Sequence, residues 1–122
     1  MLKNLLSKKN IRLNEIKDIN INLPIKIKID KPKQVGSDRV VNSIAAFRIY
    51  KKNSIIIDFG TATTFDVIIK NIYVGGMITP GINLSLKVLK EATAKLPLIK
   101  LKKTNKYIGK DTVSAMNNGM YW

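Results

Sequence analysis

Asp58-Phe59-Gly60-Thr61-Ala62-Thr63-Thr64-Phe65-Asp66 gathers two carboxylates, a glycine and three hydroxyls in one short stretch. An apolar run, Ser54-Ile55-Ile56-Ile57, leads in, and an apolar-rich strand, Phe65 to Ile69, leads out. The polar groups thus read as the tip of a hairpin whose arms are core. Such a tip presents backbone N–H groups, and glycine lets a ligand approach the chain closely. Gly60, Thr61, Thr63 and Thr64 offer N–H and O–H donors suited to phosphate oxygens. Asp58 can hold a cation that offsets phosphate charge, an attraction of roughly 4 kcal/mol at ~4 Å and an effective dielectric of ~20. The competing reading makes Asp58 a turn residue and the threonines ordinary strand formers.

A second cluster precedes it, Gly36-Ser37-Asp38-Arg39. The chain has no histidine and no cysteine. Acid–base work therefore falls to Asp, Glu, Lys or Tyr, and cysteine-ligated metal sites and disulfides are excluded. A carboxylate at a loop-to-helix junction, Asp38, is the natural general base for a hydroxyl nucleophile, and Arg39 beside it can bind a substrate carboxylate. Read alone, the pair is better explained as an N-capping aspartate beside a solvated arginine. Gly75-Gly76 and Pro80-Gly81 are candidates for turns or close approaches, and Thr112 opens a helix where N–H groups favour anions.

The elements that must position these residues follow from periodicity. Residues 2–9 read as a short helix with Leu2, Leu5 and Leu6 on one face. Leu23, Ile25, Ile27 and Ile29 alternate with Pro24, Lys26 and Lys28, the pattern of an edge strand. Lys31 to Ser37 is a loop. Ser37 or Asp38 then caps a helix to about Lys51. Strands over 54–60, 63–70 and 73–78 follow, then a helix over 83–94 stopped before Pro97. A polar connection spans 98–108, and a last helix runs from about 112 to Gly119. Met120-Tyr121-Trp122 then has nothing to pack on. The order of strands and helices predicts an α/β or α+β fold.

At 122 residues and 45% hydrophobic composition the chain can bury one core. Apolar runs are far shorter than the ~20 residues of a membrane span, and no secretory leader is legible, so a cytoplasmic location is expected. The net charge of +14 is nearly all scattered lysine, with only Arg12, Arg39 and Arg48 as arginines. Phosphate-gripping surfaces favour arginine forks and interleaved aromatics, so the expected partners include no nucleic acid and no membrane. Small anionic molecules remain natural ligands.

Taken in order, the motifs resemble the type III pantothenate kinases: Pro32-x-x-Val35-Gly36-Ser37-Asp38-Arg39-Val40-Val41-Asn42, Asp58 to Asp66, Gly75-Gly76-x-Ile78-x-Pro80-Gly81, Ala94-x-Leu96-Pro97 and Ile108-Gly109-Lys110-Asp111-Thr112. The resemblance implies an α/β fold of the actin-like ATPase, acetate and sugar kinase type, held here in part. Residues 1–52 would end the first domain and carry the Gly36–Arg39 substrate loop, and residues 53–122 would begin the second with the Asp58–Thr61 hairpin. It implies ATP-dependent phosphorylation of pantothenate, the first step towards coenzyme A, with Mg2+ and with K+ or NH4+, in a homodimer. By the same resemblance Asp38 is the general base. Gly36, Ser37, Asp38, Arg39 and Thr112 bind pantothenate, Gly60 and Thr61 bind ATP, and Asp58 holds the monovalent cation. Family members begin with a D-x-G-N-T-like phosphate loop, and no D-x-G-N occurs here. The expectation is an internal fragment with little activity alone. The alternative is a non-catalytic binding or transcription accessory protein of the same superfamily.

Overall fold

The structure is a computed structural model and describes Ile16 and residues 22–122. The helix expected over residues 2–9 lies outside them. The described elements are β1 (Lys26–Ile27), a 3-10 turn (Pro32–Gln34), α1 (Ser37–Tyr50), β2 (Ser54–Phe59), β3 (Ala62–Ile69), β4 (Ile72–Pro80), α2 (Ile82–Ala92) and α3 (Thr112–Tyr121). One four-stranded sheet has the order β1-β4-β3-β2, so the expected mixture of strands and helices holds. Two-residue links, Gly60-Thr61 and Lys70-Asn71, join β2 to β3 and β3 to β4, a connection only antiparallel neighbours allow. β1 joins β4 in parallel, Lys26 opposite Ile72 and Ile27 opposite Tyr73. It is the edge strand that the lysine alternation predicts, shortened to two residues.

Contacts divide the chain into two compact units, residues 1–56 with 65–77, and residues 57–64 with 78–122. In the first, Ile25, Val35, Val40 and Tyr73 form a buried cluster, with Ile27, Ile29, Ile44 and Phe47 packed against it. Val40, Ile44 and Phe47 recur at helical spacing and so give α1 one apolar face. The residue before this helix, Gly36, is its N-cap, and no side chain caps it. Neither Ser37 nor Asp38 takes that role, because both already lie inside the first turn. Asp38 instead contributes its charge there, favourable at the positive end of the helix dipole. The Lys70-Asn71 turn places Lys70 in the left-handed region at φ 58°, and Asn53 Oδ1 accepts from the Lys70 N–H at 2.7 Å.

β2 departs from expectation. It ends the sheet, and Ile55, Ile57 and Phe59 are exposed, whereas the apolar run Ser54–Ile57 reads as a buried strand. A sequence run reports what a strand can bury, and among the described residues β2 has a neighbour on one edge only. In the second unit Leu86 is the buried residue of α2. That helix ends at Ala92 rather than at 94, where the backbone turns extended at Thr93 (φ −130°, ψ 146°), and the Thr93 hydroxyl donates to the Leu89 carbonyl at 2.7 Å. The final helix continues to Tyr121. Trp122 stays largely exposed, yet it has partners: its ring lies 4.8 Å from that of Tyr107, and its indole N–H donates to the Lys106 carbonyl at 3.1 Å.

Ile68 in β3 is fully buried and Ile55 in β2 is two-thirds exposed. Ile68→Ala should therefore destabilise the fold by about 2–5 kcal/mol, while Ile55→Ala should stay within about 0.5 kcal/mol. Urea denaturation of the two variants checks the contrast.

Candidate active site

The first candidate cluster lies at the start of α1. Gly36 is half-buried, Ser37 and Asp38 are exposed, and Arg39 is half-buried. A Cβ on Gly36 would collide with Asp38 Oδ1, so glycine at this position lets the Asp38 carboxylate lie back over the cap. The exposed carboxylate thus lies over the entrance of the helix.

Arg39 is not the solvated arginine of that alternative reading. Its Nε donates to Asp66 Oδ1 at 2.8 Å, and its Nη2 pairs with the same oxygen at 2.6 Å. The Tyr73 hydroxyl donates to Oδ1 as well, at 2.7 Å. Three donors from α1 and β4 thus converge on one carboxylate oxygen of β3. Asp66 is 1% exposed, and a carboxylate so buried must be matched by charge and hydrogen bonds. The Arg39 guanidinium also lies over the Tyr73 ring, 5.9 Å from its centroid. Gly76 of β4 completes the arrangement, because a Cβ there would meet Arg39 Nη2 at 2.7 Å and would collide with the Phe65 carbonyl. Burial, and then the bond to Asp66, pushes the Tyr73 phenol up to about 12. Tyr73 therefore remains a neutral donor throughout the physiological range. The bond to Asp66 raises the Arg39 guanidinium above its already high ordinary value.

Asp66, at the centre of these contacts, is the residue that sequence reasoning left without a role. A signal existed: Asp66 shares strand parity with Ile68, the inward side of an otherwise apolar strand. A carboxylate facing that way needs a cation, and few arginines were available.

The second cluster belongs to the other unit. Asp58, Gly60 and Thr61 are exposed at the tip between β2 and β3, as the hairpin reading requires. Gly81 fixes this tip. Its N–H donates to the Thr61 carbonyl at 2.9 Å, and a Cβ on it would strike the Gly60 and Thr61 carbonyls. Pro80-Gly81 is thus a close approach, as anticipated. The Gly60 N–H donates to the Ala62 carbonyl at 3.0 Å. The tip supplies one carboxylate with hydroxyl and carbonyl oxygens, a hard all-oxygen set that fits a group-1 cation better than a thiophilic or imidazole-seeking metal. Among the described residues no three His, Cys, Asp or Glu side chains gather as metal ligands.

Thr112, exposed, is the first residue of α3. Asp111 caps this helix by accepting from the Ser114 N–H at 2.9 Å, and the Ser114 hydroxyl donates to Asp111 Oδ2 at 2.7 Å. Part of the N–H cluster expected to favour an anion is therefore occupied by the chain's own carboxylate. Thr112 lies within the second unit with the Asp58–Thr61 tip, whereas Gly36–Arg39 lie within the first.

The Ser114 hydroxyl, then its N–H, hold the Asp111 carboxyl below the usual carboxylate range. A depressed folded value stabilises the cap above the unfolded value of ~3.9, and that contribution is lost as pH falls through the folded value. The Ser114 amide resonance should report this step at acid pH, and Asp111→Asn should abolish it.

The type III pantothenate kinase family model matches residues 1–122. A type III pantothenate kinase of Pelagibacter ubique is 52% identical over 112 residues, 92% of this chain and 44% of that protein. Those of Phenylobacterium zucineum and Paramagnetospirillum magneticum are 51% and 49% identical over 84% and 86% of this chain, covering 40% and 41% of their own lengths. A solved structure from Campylobacter jejuni, described as a conserved Baf family transcriptional activator, aligns with TM-score 0.57 at 25% identity over 97% of this chain and 52% of its own. The chain thus spans less than half the length of these curated relatives and about half of the solved structure. With the model matched from end to end and half the residues identical, the chain belongs to the type III pantothenate kinase family.

Proposed function

We propose that this chain carries the acceptor-binding part of an ATP-dependent pantothenate kinase, in a fold of the actin-like ATPase, acetate and sugar kinase type. The observation that carries the reading is Asp38, an exposed carboxylate over the Gly36 cap at the mouth of α1, in a family member without histidine. In the proposed reaction the primary hydroxyl of pantothenate attacks the γ-phosphorus of ATP. The new O–P bond forms as the bridging P–O bond to ADP breaks, and the hydroxyl proton passes to the Asp38 carboxylate. The products are 4'-phosphopantothenate and ADP. Phosphoryl transfer is mainly positioning and charge neutralisation, which suits a site built from carboxylates, hydroxyls and backbone N–H groups.

Gly36, Ser37, Arg39 and Thr112 would hold pantothenate, Arg39 through its cationic charge and Thr112 through its hydroxyl, since Asp111 already takes the Ser114 N–H. Gly60 and Thr61 would meet ATP at the tip. Asp58 would hold K+ or NH4+, and that cation, with Mg2+ on the nucleotide, would offset phosphate charge. On this reading the enzyme would work in the cytoplasm as a homodimer, on the first step of coenzyme A synthesis. A second reading, a binding protein without turnover, is prompted by the description of the Campylobacter protein as a transcriptional activator. Asp38 speaks against it here, because a pure binder needs no base.

The native gene product, assayed with ATP and pantothenate in potassium buffer, should form 4'-phosphopantothenate. Asp38→Asn should lower turnover by about 10²–10⁴-fold with ATP binding retained, and Asp58→Asn should flatten the response to potassium. Pantothenate binding without turnover in the unaltered protein would establish the binding-protein reading instead.

A further inference from the structure

Arg39 Nε and Nη2 are both engaged by Asp66 Oδ1, and Gly76 leaves room for Nη2 against β4. Among the described residues Nη1 makes no hydrogen bond, and the Arg39 side chain keeps 15% of its surface exposed. A guanidinium is a rigid planar fork. Fixing two of its nitrogens therefore fixes where the third one points. Asp66 is in turn fixed by the Tyr73 hydroxyl, from within the first unit's core. A buried ion pair is a poor device for mere stability, since apolar residues of like volume hold elements together at least as well. What it supplies is orientation, and the residue it orients directly follows Asp38.

We propose that Asp66 and Tyr73 are positioning residues for the acceptor substrate: they clamp Arg39 so that its Nη1 end meets the pantothenate carboxylate. The inference rests on the kinase reading above and deepens it. The substrate contact is then made at the end of the guanidinium that carries Nη1, because the side that carries Nε already belongs to Asp66. Lysine could not replace Arg39. Its ammonium has no rigid fork, so pairing with Asp66 would not aim its remaining N–H groups at the substrate.

The test is a double-mutant cycle on pantothenate affinity, measured by calorimetry on the native gene product. Asp66→Asn should weaken pantothenate binding at least about tenfold. In an Arg39→Gln background the same substitution should change affinity less than about twofold, since its effect passes through Arg39. Tyr73→Phe keeps the ring and removes only one donor. It should weaken binding by about fivefold, again only while Arg39 is present, and it keeps the test available if Asp66→Asn does not fold. Arg39→Lys should match Arg39→Gln in affinity. Losses of equal size in both backgrounds, or no loss in either, would overturn the positioning role. Failure of the unaltered protein to bind pantothenate would overturn the kinase reading itself. In that case the protected Arg39 Nε–H resonance, and its loss in Asp66→Asn, still reports separately whether the clamp exists.

Discussion

A carboxylate carried out of water into a sheet must be matched by charge or it will not stay there. Asp66 is that carboxylate, and the first unit is arranged around its needs. It draws Arg39 from the first turn of α1 and the Tyr73 hydroxyl from β4 onto a single oxygen. Breaking one partner of such a cluster is far more damaging than never having built it. The helix that carries Asp38 is therefore held in register against β3 and β4 by a polar tie with a defined geometry. Apolar packing of Val40, Ile44 and Phe47 supplies adhesion. Adhesion tolerates sliding, and the ion pair does not.

Glycine plays the complementary part, by omission. Gly76 admits the guanidinium beside β4, and Gly36 admits the Asp38 carboxylate over its own helix cap. In the second unit Gly81 brings the start of α2 against the carbonyls of the Gly60-Thr61 tip and hydrogen-bonds there. At each of these places a methyl group would displace a chemically important neighbour. The motifs that mark the family are thus partly records of where side chains had to be absent.

Much of this was legible in the sequence. The hairpin with its polar tip, the helix after Gly36, the basic edge strand and the helix opened by Thr112 all follow from periodicity and turn chemistry. What escaped was decided by pairing across the fold. Asp66 reads as one more polar residue in a strand until Arg39, 27 residues earlier, is seen beside it. The cap of α1 was read as Ser37 or Asp38, and Gly36, just before them and also a competent N-cap, takes the position. The apolar run of β2 signals burial, yet its place at the sheet edge leaves Ile55 and Ile57 exposed. Trp122 looked stranded because its partner, Tyr107, lies in an irregular segment where no period announces a contact.

The most direct test of the account is a crystal structure of the native gene product with pantothenate and a non-hydrolysable ATP analogue. The account predicts the pantothenate hydroxyl within about 2.6–3.2 Å of the Asp38 carboxylate, with Arg39 still paired to Asp66 and its remaining nitrogen on the substrate carboxylate. A hydroxyl facing another residue, or an Arg39 that leaves Asp66 to grip the substrate with both prongs, would contradict it.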